Sequence, residues 1–397
     1  MNTSGTKKLL QLNCTVNSGS TGKIAESIGL AAMKRGWESY MAYGRRMNPS
    51  QSNLIKVGNM PTVYAHYARY RFLDGEGLGS KFATKRLITQ IEEIQPDIIQ
   101  LHIIHDHWIN YPLLFDYFTT IPTPIFWTLH DCWAFTGGCY HFENEGCYRW
   151  KTSGCNGGCP LNFKKTEKNF DLRLKALSEI GERLNIVCVS RWLADYASTS
   201  LLKSAGAKFN IINNGINING IFKPTEGKKK MVLGVSYPWS VRRSLDDFIK
   251  LRHILPENVE IVLVGLNKKQ ISSLPSGITG LLKTESGEEL ARLYSQASAL
   301  INPTYNDSFP TVNLEALACG TPVITYRTGG SPEAIDKETG IVVEKGDVEG
   351  LSKATRHIID NPEIYTVENC RRRAVKCFNQ DIQFNKYIDL YEQELDI

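Results

Sequence analysis

Asp307 and Glu315, with seven residues between them, stand in the stretch 306–332, NDSFPTVNLEALACGTPVITYRTGGSP. Ser308, Phe309 and Pro310 read as a helix start: a capping hydroxyl, then a proline where the missing N–H costs nothing. Thr311 to Cys319 continues as a short helix with Leu314, Leu317 and Ala318 on its buried side. Gly320 ends it, and Pro322 to Tyr326 reads as a buried strand. A second loop-to-helix start follows at Gly329, Gly330, Ser331 and Pro332. Two helix N-termini this close together offer two sets of unpaired N–H groups and two positive dipole ends, which suits a diphosphate. Glu315, more than a turn into the first helix, is placed to accept two hydrogen bonds from a vicinal diol such as a ribose. Asp307, ahead of the helix, reaches a group bonded to the outer phosphate. The plainer reading of the same residues is an ordinary α/β unit.

Other residues could share that chemistry. Arg242 and Arg243 fall at the start of a helix within 239–247, where guanidinium groups grip a diphosphate in pairs; the alternative is a solvated pair. Gly19 and Gly22 lie in the Gly-rich turn after a first strand, and glycine permits close approach of backbone to a ligand. The pair Gly22-Lys23 does not make a P-loop, because Asn17 and Ile24 occupy the flanking signature positions. His102, His105, His107 and His130 lie at or beyond the ends of apolar strands, the edge that carries the ligand crevice in open α/β sheets. A lone histidine is more commonly a hydrogen-bonded structural one. Arg45 follows the second strand in a loop.

The elements that would position these groups alternate between strand and helix. Lys8–Val16, Ser39–Tyr43, Pro96–His102, Pro124–Asp131 and Asn185–Ser190 read as strands of a first series, the fourth ending in polar groups. Met231–Ser236, Glu260–Gly265, Ala299–Asn302 and Pro322–Tyr326 form a second. Pro224–Lys230, polar and basic, reads as part of a linker. The 397 residues suffice for two domains, and 42% hydrophobic with 22% charged residues is the balance of a globular protein. No apolar run approaches 18 residues and the first dozen lack an apolar core, so neither a membrane span nor a signal peptide is expected. The expected compartment is the cytoplasm. The net charge of +5 is too small to indicate nucleic acid, but favours anionic donors and a loose peripheral hold on an anionic membrane surface. The basic residues Arg69, Arg71, Lys81, Lys85 and Arg86 belong either to a solvated helix face or to that contact.

Cys132, Cys139, Cys147, Cys155 and Cys159 crowd into one glycine-rich segment. Cys139, Cys147, Cys155 and Cys159 could hold a structural zinc through four thiolates, or stand as free thiols or disulfides.

The run Asp307, Phe309-Pro310, Asn313-Leu314-Glu315-Ala316, Cys319-Gly320-Thr321-Pro322 and Gly329-Gly330 resembles the donor-binding stretch of family-4 retaining glycosyltransferases. Asp307 stands where that family carries Glu, and Arg243-Ser244 where it carries Lys-Gly. The segment TLHDCWAFTGGCYHF with its later cysteines resembles a polysaccharide-biosynthesis branch of the family. The resemblance implies an α/β protein of the GT-B fold, two Rossmann-like αβα domains facing across a cleft. It divides the chain into 1–208 for the acceptor, including the cysteine-rich loop 132–160, then 209–378 for the nucleotide-sugar, and a helix at 379–397 returning to the first domain. It implies transfer of a sugar from a nucleotide-diphosphate sugar to a hydroxyl of a saccharide or lipid-linked acceptor, with retention. His130, Asp307 and Arg243 would be catalytic. Gly19, Gly22, Arg242, Arg243, Phe309, Pro310, Thr311, Val312, Asn313 and Glu315 would bind the donor, and His105 and Arg45 the acceptor. No cofactor is required by this scheme, since no Asp-x-Asp motif appears. Two other functions stay open: a nucleotide-sugar epimerase or phosphorylase of the same architecture, and a non-catalytic nucleotide-sugar-binding protein.

Overall fold

The apolar runs that sequence periodicity marks as strands become the buried centres of two parallel sheets. The computed structural model describes residues 5–73, 77–152, 154–155, 165–225, 227–240 and 243–396. The described residues up to Asn213, with those from Gln383 onward, form a first unit, and Asn214–Ile382 a second.

In the first unit the strands are β1 (Lys8–Leu12), β2 (Glu38–Tyr43), β3 (Asn53–Lys56), β4 (Ile98–Leu101), β5 (Ile125–Leu129), β6 (Leu184–Cys188) and β7 (Lys208–Ile211). Their order in the sheet is β3-β2-β1-β4-β5-β6-β7, every pairing parallel. β4, β5 and β6 are buried along their whole length, as strands covered on both faces must be. The order runs outward from β1 in one direction and from β4 in the other. Connections therefore diverge at the β1–β4 pair, the place in such sheets beyond whose carboxyl ends ligands bind. Leu9, Ile28, Ile98, Phe126 and Val187 pack with Phe384, Tyr387, Ile388 and Tyr391 of the helix Gln380–Glu394 in one core. The Tyr391 hydroxyl donates to Gln100 Oε1 at 2.7 Å, so this helix also satisfies polar groups within the sheet.

The second unit repeats the plan with β8 (Met231–Val235), β9 (Glu260–Val264), β10 (Ile278–Leu281), β11 (Ala299–Asn302), β12 (Val323–Tyr326) and β13 (Gly340–Val343). Its order is β10-β9-β8-β11-β12-β13, again all parallel, with the divergence between β8 and β11. Val232, Phe248, Leu251, Leu263, Ile301 and Ile324 lead its core. Both sheets thus have the doubly wound α/β arrangement. The stretch taken for a linker runs along this unit instead: Lys229 N–H donates to Gln296 O at 2.8 Å, and Lys228 Nζ to Ala297 O at 2.8 Å. Among the described residues no helix is long and apolar enough to cross a membrane.

Several elements differ from the sequence reading. β1 stops at Leu12, because Asn13 turns its amide onto Thr15 O at 2.8 Å and starts the loop early. Residues 60–73 and 81–94 form two helices. β3, β7, β10 and β13 were not anticipated; all four are four-residue strands, and all four lie at sheet edges.

Candidate functional site

The chain leaving β11 is held by buried polar groups. Asn302 Nδ2 donates to Asn313 Oδ1 at 2.8 Å, and Asn313 Nδ2 donates to Ser331 Oγ at 3.0 Å. Ser331 Oγ and Thr325 Oγ1 lie 2.6 Å apart. Thr328 Oγ1 donates to Thr304 O at 2.6 Å, and Thr304 Oγ1 to Asn306 O at 3.1 Å. A polar network whose members satisfy one another fixes a loop more tightly than apolar contact would. Gly330 N–H then takes the Asp307 carbonyl at 3.0 Å. That approach requires glycine at the preceding position: Gly329 has φ +55°, and a Cβ there would lie 2.0 Å from Asp307 O.

So fixed, Asp307 meets Arg243, with Nη1 to Oδ2 at 2.5 Å, both side chains largely buried. The same Nη1 lies 3.4 Å from Thr304 Oγ1. A cation and an anion are therefore paired beyond the carboxyl ends of β8 and β11, at the divergence point of the sheet. One turn into the helix Thr311–Ala318, Glu315 Oε2 accepts the Tyr294 hydroxyl at 2.8 Å. Tyr294, on the helix Gly287–Gln296, is fully buried; burial and then the Glu315 charge push its phenol well above the usual range, so it stays a donor.

Some expected contacts are otherwise placed. Pro310 is the residue before the helix, with extended backbone, not its first turn. Ser308 Oγ is buried without a hydrogen-bond partner, so it caps nothing. The second helix start is a short 3-10 turn, Ser331–Ala334. Its N–H groups are spent: Gly330 on Asp307, Ser331 on Thr328 at 3.3 Å, Glu333 on Gly330 at 3.2 Å. One open helix N-terminus serves the loop, where the sequence suggested two. Asn313 is buried with both ends of its amide engaged inside the protein, so it positions the loop and presents nothing outward. Phe309 is buried against Phe378, ring centroids 5.7 Å apart, and Thr311 and Val312 are half-buried in the first helical turn. Arg242 lies outside the described residues.

In the first unit, Gly19 opens the helix Gly19–Lys34 with φ +66°, and Gly22 lets its first turn close on Thr15, whose Oγ1 would stand 2.9 Å from a Cβ. Beyond β4 and β5, His102 and His130 stack with ring centroids 5.5 Å apart. His102 Nδ1 lies 3.2 Å from His130 Nε2, and His102 Nε2 lies 3.1 Å from Gln11 Oε1. Burial pushes His102 well below its ordinary value and His130 down to about 4, so both rings are neutral near pH 7. His105 Nε2 meets Asp131 Oδ2 at 3.0 Å, and Asp131 Oδ1 accepts Trp133 N–H at 2.9 Å. Burial works to raise the Asp131 carboxyl, but the charge and hydrogen bond of His105 outweigh it and hold it below its usual range. Arg45 Nη1 pairs with Asp106 Oδ2 at 2.6 Å. Asp106 and His107 both have positive φ, 78° and 66°, a conformation that non-glycine residues hold only where surroundings enforce it.

Gln11 and Tyr294 have no role in the sequence reading, and Asp131 only closes a strand there. The available signal was a glutamine inside an apolar strand, which must find partners if buried. The three described members of the expected four-thiolate set do not form a metal cradle: no three Cys, His, Asp or Glu side chains converge among the described residues. Cys155 Sγ instead accepts Gly137 N–H at 3.1 Å, and Cys147 is partly exposed. Cys159 lies outside the described residues.

Residues 232–361 match the family described as Glycosyl transferases group 1. WcaC of Escherichia coli strain K12, whose name places it in colanic acid biosynthesis as a glycosyl transferase, is 24% identical over 419 residues, covering 97% of this chain and 99% of its own. Sucrose-phosphate synthase from Thermosynechococcus elongatus superposes with a TM-score of 0.71 at 17% identity, over 98% of this chain and 99% of that one. Anabaena HepE in complex with UDP does so with a TM-score of 0.66 at 14% identity, over 98% and 100%. The second unit therefore carries a domain of the Glycosyl transferases group 1 family, in a chain with the two-sheet GT-B fold of glycosyltransferases.

Proposed function

We propose that the protein moves a sugar from a nucleotide-diphosphate sugar to a hydroxyl of a saccharide or lipid-linked saccharide, with retention at the anomeric carbon, in the building of a cell-surface polysaccharide. The observation that carries this reading is the arrangement at the β8–β11 divergence. Within one loop and helix it offers a guanidinium, a carboxylate paired with it, and a second carboxylate oriented by a buried tyrosine. Glu315 would accept the ribose hydroxyls. Arg243 would turn to the diphosphate, whose charge grows as the glycosidic bond breaks, so its contribution is largest in the transition state. Asp307 would orient the sugar, and the resemblance assigns His130 to the sugar as well. The name of the HepE complex records UDP, which makes UDP-sugars the first donors to try.

The test is a thermal-shift screen of nucleotide-sugars followed by turnover, since a ligand that binds only the folded state raises its melting temperature. Release of nucleoside diphosphate only with a saccharide acceptor present is expected; release without one would favour an epimerase or phosphorylase, and binding with no turnover a non-catalytic role. Asp307→Asn should cut transfer on the order of 10²-fold, the scale of a misplaced reacting group, while UDP affinity holds. Full activity in that variant would defeat the assignment of Asp307.

A further inference from the structure

We propose that Gln11 and His102 are positioning residues that set the tautomer of His130, so that His130 offers Nδ1 as a hydrogen-bond acceptor to a substrate hydroxyl. The relay begins at a backbone carbonyl, whose role admits no choice. Gln11 Nε2 donates to Ala25 O at 2.9 Å, and a carbonyl can only accept, so the amide cannot be turned over. Gln11 Oε1 must therefore face His102 Nε2, 3.1 Å away, and accept from it. That places the proton of His102 on Nε2. The His102 ring is buried and neutral, which leaves Nδ1 with a lone pair. Nδ1 faces His130 Nε2 at 3.2 Å, so His130 must donate from Nε2. A neutral His130 then carries a bare Nδ1. Three hydrogen bonds thus pass a single directional choice from the first helix to the edge of β5.

The sequence builds this relay at a place where the helix can come close. Gly29, on the helix Gly19–Lys34, would put a Cβ 3.1 Å from Gln11 Nε2 and 2.8 Å from Ser39 Oγ. With glycine there, the Ala25 carbonyl settles within reach of Gln11. Both Gln11 and His102 are buried, so no water competes for the orientation.

The ligand chemistry follows from the last atom. An acceptor nitrogen recognises a hydroxyl, and a site built to bond a hydroxyl discriminates strongly against an analogue that lacks it. On the reading of the protein as a sugar transferase, His130 would select a substrate with a hydroxyl at the position it meets and reject the deoxy sugar.

The experiment is long-range 1H–15N correlation of the histidine side chains in the full chain, with signals assigned through His130→Gln and His102→Gln. Both rings are expected as neutral Nε2–H tautomers across pH 6 to 8. His130 protonated on Nδ1, alone or together with Nε2, would overturn the proposal. Gln11→Met, of similar volume but without the amide, should turn the single His130 tautomer into a mixture. With UDP-sugar donors it should lower kcat on the order of 10-fold or more, as for a misoriented group, with UDP affinity held. Gln11→Met with His130 still wholly Nε2–H would likewise refute the relay. The spectra need no turnover, so they decide the relay even if every donor proves inactive, an outcome that would count against the transferase reading instead.

Discussion

Replacing Tyr294 by Phe removes one oxygen atom from a fully buried position and tests how Glu315 works. The phenol donates to Glu315 Oε2 at 2.8 Å from a fully buried position, and phenylalanine offers no donor in its place. A hydrogen bond to a charged group contributes ~1.5–3 kcal/mol, and this one is made within the protein itself. Its loss therefore falls first on stability. For a domain of this size, each kcal/mol shifts the melting temperature by ~2–4 °C, so the second unit should melt ~3–12 °C lower. Binding is affected only through orientation. A carboxylate that has lost this bond is less firmly oriented, and ordering it when the nucleotide arrives costs up to ~0.5–1.5 kcal/mol, which raises Kd for UDP by up to roughly 2- to 12-fold. Calorimetric titration of UDP and thermal unfolding measure the two effects separately. A lowered melting temperature with unchanged Kd would show that nucleotide binding does not use an oriented Glu315. A Kd raised more than a hundredfold would mean that Tyr294 touches the ligand itself.

Gly329→Ala should destabilise the second unit by at least ~2 kcal/mol in urea titration, since it places a Cβ against the Asp307 carbonyl at positive φ; wild-type stability would disprove the need for that approach. Stability of the first unit should fall as the pH drops from about 6.5 toward 5. The native state keeps His66, His102 and His130 unprotonated, with His66 and His130 down to about 4, while the unfolded chain protonates them near 6.5. The sign follows from proton counting: the unfolded state binds more protons in that window, so acid favours it. Each group adds up to ~1.4 kcal/mol per pH unit, and a flat stability profile between pH 7 and 5 would contradict their neutral burial.

What could be read from sequence divides by the range of the interactions concerned. Strands such as β5 and β12 announce themselves because an apolar run between turn residues has few other uses. β3, with the residues Asn-Leu-Ile-Lys at a sheet edge, has no such run, and only its pairing with β2 makes it a strand. The acids Asp307 and Glu315 could be picked out by their spacing, but their partners could not. Arg243 reaches Asp307, and Tyr294 reaches Glu315, through the packing of separate crossover helices. The pattern Gly-Gly-Ser-Pro promised a helix, because local signals report the first turn and not whether a second follows; four residues later the chain is already extended. Gln11 was legible as an anomaly, a polar side chain among the leucines of β1, yet its meaning lies in His102, brought beside it by the parallel pairing of β1 with β4.

The helix that completes the first unit is made after the whole of the second. A ribosome releases the chain in linear order, so while the second unit emerges the first must wait with the places of Phe384, Tyr387 and Tyr391 unfilled. Joining remote segments costs entropy that grows with the logarithm of the loop between them. The second unit shortens that loop by its own folding: Ile216 N–H donates to Phe378 O at 2.7 Å, Gln380 N–H donates to Ile216 O at 2.9 Å, and the two ends of the unit lie side by side. Once they are tied, residues 213 and 383 are held near one another, and the last helix is delivered to its seat as though the intervening domain were a short turn. Assembly of the first core is in this sense conditional on the second, although the two cores share no residue.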